Sequence, residues 1–223
     1  MPDATTLLKF RHLLEDKALT KTLFDTLNPM LRERGRLMNQ GTRVDATLIA
    51  APASTKNKAH TRDPERGHTG KGQQDYFGAK AHLGVDAASG LVHRVTTTAA
   101  NVADMTETVN RLHGEAERVF ADAGYTGAAQ REELKGLEVK WHIAAKRGKI
   151  KALPEGPLKA VMHPIERLKS QVRRRVEQVG HLLKDRFHPR QLRYQGLKQN
   201  GAQHHVLFAL ANLVIAKKAL LAA

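Results

Sequence analysis

Cysteine is absent from this 223-residue chain. Its absence excludes disulfide scaffolds, thiol nucleophiles and thiolate metal sites. Aromatic residues make up only 4%, too few for a single-strand binder built on stacking platforms. Acidic residues are scarce beside basic ones, 22 against 37, which leaves a net charge of +15 and a pI near 10.3. Such an imbalance points to a polyanionic partner, either nucleic acid or an anionic membrane surface. No long uninterrupted apolar run occurs. The most apolar stretch, residues 206–223, is broken by Asn212, Lys217 and Lys218 and reads as a helix packed on a soluble core rather than a membrane span. The first residues, Met1-Pro2-Asp3-Ala4-Thr5, lack a basic segment followed by an apolar one, so they do not read as a signal peptide.

What is present is a globular composition, with 41% hydrophobic residues, enough for a core. The charge is unevenly placed. Residues 1–130 sum to +2 and residues 131–223 to +13. The second part is the expected footprint of a phosphate backbone, against the plainer reading of a solvated basic surface.

Residues 3–38 carry apolar positions at helical spacing. Residues 42–49, Thr42-Arg43-Val44-Asp45-Ala46-Thr47-Leu48-Ile49, read as a strand with a carboxylate inside it. Residues 51–75 read as a long loop. Residues 78–86 and 91–98 form a hairpin around Ala87-Ala88-Ser89-Gly90. A helix opens near Asp104 or Thr106. Residues 118–122 form a short strand ending in Asp122, residues 128–137 a helix, and residues 139–144 a last strand. A long helix is expected from about 165 to 187, and a C-terminal one from about 203. Three strands joined by hairpins, followed by two alternating with helices, is the order of an α/β, RNase H-like fold. The expectation is a mixed five-stranded sheet flanked by helices, over residues 41–218, behind a short helical N-terminal segment, residues 1–40.

Three carboxylates stand out by position. Asp45 lies within the first strand, Asp122 at the end of the fourth, and Glu177 inside the long helix. In this fold the first and fourth strands are neighbours and the following helix packs across them, so the three acids converge. An unpaired acid in an apolar strand is costly, and converging acids repel unless cations lie between them. Oxygen-only ligation suits Mg²⁺ or Mn²⁺, and two such ions bracket an in-line attack on a phosphodiester. Around Glu177 the helix reads Arg173-Arg174-Arg175-Val176-Glu177 and reaches Lys184 seven residues later. That stripe is open to two readings: simple salt bridging along a helix, or cations beside a metal-bound phosphate.

These residues resemble a known family. Residues 44–49, Ser54-Thr55-Lys56-Asn57-Lys58 and Arg62-Asp63-Pro64-Glu65 are similar to the first catalytic block of bacterial insertion-sequence transposases of the DDE class. Residues 76–86 and 96–102 continue the likeness. Phe120-Ala121-Asp122-Ala123-Gly124-Tyr125-Thr126-Gly127 resembles the second block, and Arg173, Glu177 and Lys184 match the Arg-x₃-Glu-x₆-Lys part of the third. The resemblance covers about residues 3–218 and points to the insertion-sequence four/five superfamily, nearest the "insertion sequence five" group.

It implies that Asp45, Asp122 and Glu177 are the catalytic and metal-binding triad, using Mg²⁺ or Mn²⁺ and two ions. Arg173, Lys184, Lys56, Lys58 and Arg174 are the DNA-binding residues it implies. Its implied reaction is cleavage at element ends followed by transfer of the 3′-OH into target DNA. The partners are double-stranded DNA, as terminal inverted repeats and target, and a second copy in a homodimer, with no membrane. The setting is the bacterial cytoplasm beside the nucleoid.

Two departures stand out. Ser170 occupies the place three residues before Arg173 where many members have Tyr, and only about forty residues precede Asp45. The second departure raises the alternative of a shortened, non-catalytic DNA-binding remnant that inhibits a full-length copy. A nuclease of the same fold that cuts without joining is a third reading.

Other signals are weaker. Gly67-His68-Thr69-Gly70-Lys71-Gly72 lacks the spacing of a phosphate loop and reads as a flexible basic loop. The 12 His contain no His-Glu-x-x-His pair, adjacent His204-His205 cannot face one ion, and structural or surface roles are the expected ones. Trp141 reads as strand packing.

Overall fold

The computed structural model describes residues 2–37, 41–52, 55, 61–112, 116–187 and 191–221, with backbone alone at 71, 147, 173–176, 218 and 219. The chain opens with two helices, α1 (Ala4–Asp16) and α2 (Leu19–Glu33). The single helix expected over 3–38 breaks at Ala18, which takes a left-handed φ of 51°. The Asp3 carboxylate caps α1 through the Thr6 amide at 2.7 Å.

Six strands form one mixed sheet: β1 (Thr42–Ala50), β2 (Gly67–Lys71), β3 (Gln74–Asp86), β4 (Val92–Ala99), β5 (Arg118–Ala121) and β6 (Lys140–Ile143). The order is β2-β3-β1-β5-β6, with β4 also pairing β3. The 13-residue β3 is long enough to serve two partners on one edge. Residues 74–78 pair with β2 and residues 79–85 with β4. Against β1 and β4 the pairing of β3 is antiparallel, while β1, β5 and β6 run parallel.

This is the RNase H-like order, with one strand more than expected. The extra strand is β2, inside the segment read from sequence as loop. Its residues pair around a two-residue turn, Gly72-Gln73, a hairpin geometry that glycine favours. The basic Gly67–Gly72 stretch is therefore largely ladder-bonded strand, not a free loop.

The helices differ from expectation in length. Residues 100–107 are turns, and the helix that follows, α3 (Thr108–Arg111), is one turn long. Residues 123–134, whose second half was expected to be α-helical, form three short 3₁₀ turns. After α4 (Arg147–Lys151), α5 (Pro157–Leu182) begins eight residues earlier than expected. Pro157 stands at its start, where proline's missing N–H costs nothing, and Pro164 is carried inside. A π turn, residues 183–187, closes it. The C-terminal α6 (Leu197–Leu221) starts six residues early.

Its start is explained by two acids. Asp63 Oδ2 accepts from the Gly196 amide at 2.7 Å, and Glu65 Oε2 from the Leu197 amide at 2.5 Å. Carboxylates at a helix N-terminus satisfy its free amides and its dipole.

Side chains alternate across the sheet. One face carries Ile49, Ala79, Ala81, Leu83, Val85 and Val95, and on it lie Val179 from the end of α5, Leu183 from the π turn and Phe208 from α6. The other face buries Val44, Val119 and Ala121 with Tyr125, Ala128 and Leu134, and Trp141 packs against this cluster. Asn212 of α6 is buried and its amide bonds both the N–H and C=O of Val92, at 2.8 and 2.7 Å. It thereby satisfies the outer edge of β4. Among the described residues no helix is long and apolar enough to cross a membrane.

Candidate active site

The parallel ladder between β1 and β5 pairs Thr42 with Val119 and Arg43 with Phe120. Carried two residues further, that register sets Asp45 level with Asp122. Alternation puts Asp45 on the same face as Arg43 and as Leu83, its partner on β3. Asp122 falls on the same face as Phe120. This is the face on which α5 packs, and α5 contacts both β1 and β5. Strand pairing thus carries the two acids, distant in sequence, to within two residues of the same ladder end.

Each is held locally. Asp45 Oδ1 accepts from the Ala46 amide at 2.9 Å, and the half-exposed Oδ2 lies 3.9 Å from the buried Arg43 guanidinium. Asp122 caps the first 3₁₀ turn, with Oδ1 accepting from the Gly124 amide at 2.9 Å. Its Oδ2 has no hydrogen-bond partner among the described residues. Gly124 leaves this carboxylate room, because a Cβ there would stand 3.0 Å from Asp122 Oδ1.

Glu177 lies on α5, exposed, two residues before the buried Val179. It lines a cleft of about 490 Å³ at the end of β6, with Ala144, His163, Glu166, Lys169 and Ser170. Within that cleft Glu166 accepts from the Ala145 amide at 3.0 Å and from Lys169 at 2.7 Å. Asp45 and Asp122 do not line it. Among the described residues no three His, Asp or Glu gather closely enough to hold a metal ion. Asp45 and Asp122 each follow the end of the β1–β5 ladder by two residues, and Glu177 lines a cleft that neither of them lines.

The basic residues named from sequence are distributed as follows. The α5 backbone carries Arg173 and Arg174, whose side chains are outside the described set. Lys184 is exposed in the π turn just past α5. Both Lys56 and Lys58 lie outside the described residues.

A polar network on the opposite face was not found from sequence. Arg111, at the end of α3, is fully buried. Its Nη1 donates to the Asp45 carbonyl at 3.1 Å and to the Tyr125 hydroxyl at 2.9 Å. Nε donates to the Glu107 carbonyl at 3.1 Å, and Nη2 to the Asp104 carbonyl. The close approach depends on Gly84, where a Cβ would meet the Arg111 carbonyl at 2.2 Å. Lys80 pairs with Asp104 at 3.0 Å, and buried His82 shares a 2.7 Å hydrogen bond with Thr98. Burial, helped by the nearby Arg111 charge, lowers the His82 pKa to about 4. Burial also raises Tyr125 to about 12, so its phenol keeps its proton. The only sequence signal was Tyr125, third after Asp122 in a quoted block. Nothing in the sequence around Arg111 marks it.

The donor chemistry fits a hard divalent cation. Asp45 and Asp122 offer oxygen donors alone, and a Mg²⁺-sized ion fills its other positions with water or phosphate oxygens. The family described as the transposase DDE domain matches residues 38–213, a span that holds both aspartates, Glu177 and Arg111. No solved structure matches the chain.

Proposed function

The chain belongs to the transposase DDE domain family, and from that premise we propose that it cleaves phosphodiesters at the ends of an insertion sequence and transfers the freed 3′-OH into target DNA. The family acts on DNA and generally uses divalent metal ions. Within it, the sequence blocks favour the insertion-sequence four/five superfamily, nearest the "insertion sequence five" group. On this reading residues 41–218 are the catalytic domain, residues 1–40 a helical N-terminal segment, and the active complex a homodimer. Its working place is the bacterial cytoplasm, beside the nucleoid.

The observation that supports it most is that Asp45 and Asp122 each lie two residues past the last pair of the β1–β5 ladder, in strands that α5 contacts. In this proposal Asp45 and Asp122 hold Mg²⁺ or Mn²⁺, in two sites shared with the scissile phosphate. The bound ions supply Lewis-acid stabilisation and a nucleophile at neutral pH. Glu177 is the third acid. Three carboxylates repel one another without cations, so its distance from the pair is expected to shorten once cation and DNA are in place. The residues of this chain do the positioning. Arg43 offsets charge at Asp45, and the Gly124 amide orients Asp122. Arg173, Arg174 and Lys184, with Lys56 and Lys58, bind phosphates flanking the cleaved strand.

The test is an assay with Mg²⁺ on a duplex carrying the element's terminal repeat and a separate target duplex. Cleaved ends joined to target, lost in Asp122→Ala, support the proposal. Cleavage without joining identifies a nuclease. DNA binding with neither identifies a non-catalytic DNA-binding protein.

A further inference from the structure

The β1–β5 ladder ends at Arg43 and Phe120, two residues short of both aspartates. At the level of the acids the strands are no longer fastened to one another by the ladder. A link at that level comes from the opposite face, through Arg111.

Its guanidinium touches both sides of the gap. One nitrogen, Nη1, bonds the backbone carbonyl of Asp45 and the hydroxyl of Tyr125. Tyr125 ends the 3₁₀ turn that Asp122 begins, and its amide donates to the Asp122 carbonyl at 3.1 Å. A single buried side chain thus spans from the residue carrying one acid to the turn carrying the other. The remaining donors tie it to the Asp104 and Glu107 carbonyls, and the Tyr125 hydroxyl also reaches the Asp104 carbonyl at 3.3 Å. Its hydrogen-bond partners are carbonyls and a phenol, not carboxylates. Burying a guanidinium among neutral dipoles is expensive, and an apolar side chain would fill the same space at less cost. What the guanidinium adds is a rigid fork with several fixed donors, together with a positive charge beneath two acids that repel.

We propose that Arg111, acting through Tyr125, is a positioning residue that sets the separation of Asp45 and Asp122 and thereby the affinity of the pair for a divalent cation. The inference rests on the reading of Asp45 and Asp122 as metal-holding acids. Partners behind metal ligands typically change metal affinity by about 10- to 100-fold when removed.

The experiment is Mn²⁺ binding to the full chain without DNA, followed by electron paramagnetic resonance, for the wild type, Tyr125→Phe, Arg111→Lys and Asp122→Asn. Tyr125→Phe keeps the ring in the core and removes only the hydroxyl. It is expected to weaken Mn²⁺ binding by about 10-fold, and Arg111→Lys by at least as much, at a temperature well below unfolding. A purely structural role would lower the melting temperature and leave Mn²⁺ affinity within about twofold. That result in both variants, with Asp122→Asn abolishing binding, would overturn the positioning role and spare the acid pair. Wild-type Mn²⁺ affinity in Asp122→Asn would overturn the acid pair, and this proposal with it. If Arg111→Lys does not fold, Tyr125→Phe decides alone.

Discussion

Asp63 accepts a 2.7 Å hydrogen bond from the backbone amide of Gly196, 133 residues further along the chain. The same carboxylate pairs with Arg66 at 3.1 Å, both side chains nearly buried, and Arg66 in turn donates to the Tyr194 carbonyl at 2.7 Å. The block that resembles part of a catalytic motif therefore also fastens the start of α6 to the sheet. Asp63→Ala leaves Arg66 without its carboxylate and the Gly196 amide without its acceptor. We expect a loss of about 3 kcal/mol, as for one member of a buried pair, and about half that for Asp63→Asn, which keeps an acceptor. Urea unfolding measures both. Equal, negligible losses would show that the cap contributes nothing.

Gly124→Ala separates function from stability. The added Cβ meets only the Asp122 carboxylate, at 3.0 Å, a side-chain end that moves at little cost. Unfolding free energy should change by less than about 1 kcal/mol, within the range for substitutions without a named structural fault. Cleavage should fall by about threefold, because the carboxylate must give by a few tenths of an ångström and misplacement at a reacting centre is costly. Unchanged cleavage would show that the Gly124 contact does not set the position of the Asp122 carboxylate.

Acid should destabilise the fold through two buried histidines. The pKa values of His82 and His204 are both lowered to about 4, chiefly by burial, from an unfolded value near 6.5. The unfolded chain therefore binds more protons between those limits. The stabilisation is complete above about pH 6.5 and is lost as pH falls towards 4, with a slope on the order of 1 kcal/mol per unit for each histidine. Denaturant melts at pH 7, 6 and 5 measure it. His204 shares a 2.8 Å hydrogen bond with Thr97, so His204→Gln should flatten the slope. A slope unaltered in that variant would contradict the assignment.

If Arg173 and Lys184 each contact a phosphate, removing either should shallow the dependence of log affinity on log salt by about one unit. Titrations of a terminal-repeat duplex between low and moderate salt give the slope. An identical slope in Arg173→Ala would leave only helix salt bridging for that residue.

Much of the sheet is legible in the sequence because its signals are local. Alternation and turn residues mark β1, β3, β4, β5 and β6, and the charged residues at 45 and 122 stand out against apolar neighbours. β2 was hidden because glycine and polar residues dominate it, and its order comes from pairing with β3 rather than from propensity. The early start of α6 is set by Asp63 and Glu65, which no local pattern connects to residue 197. Arg111 was invisible for the same reason. Its partners lie at 45, 104, 107 and 125, and only the folded chain brings them around one guanidinium. Glu177 was placed correctly on its helix, but its distance from the two aspartates depends on how α5 lies across the sheet, which spacing does not give.

The central claim, that Asp45 and Asp122 hold divalent cations at the scissile phosphate, is tested most directly by sulfur substitution. Single-turnover cleavage of a terminal-repeat duplex is compared with that of the same duplex carrying a phosphorothioate at the scissile position, in Mg²⁺ and in Mn²⁺. Mn²⁺ accepts sulfur more readily than Mg²⁺ does, following ligand softness. The account predicts slow cleavage of one phosphorothioate diastereomer in Mg²⁺, recovery in Mn²⁺, and no cleavage by Asp45→Asn or Asp122→Asn in either metal. Undiminished cleavage by those variants, or wild-type cleavage without any divalent cation, would contradict it.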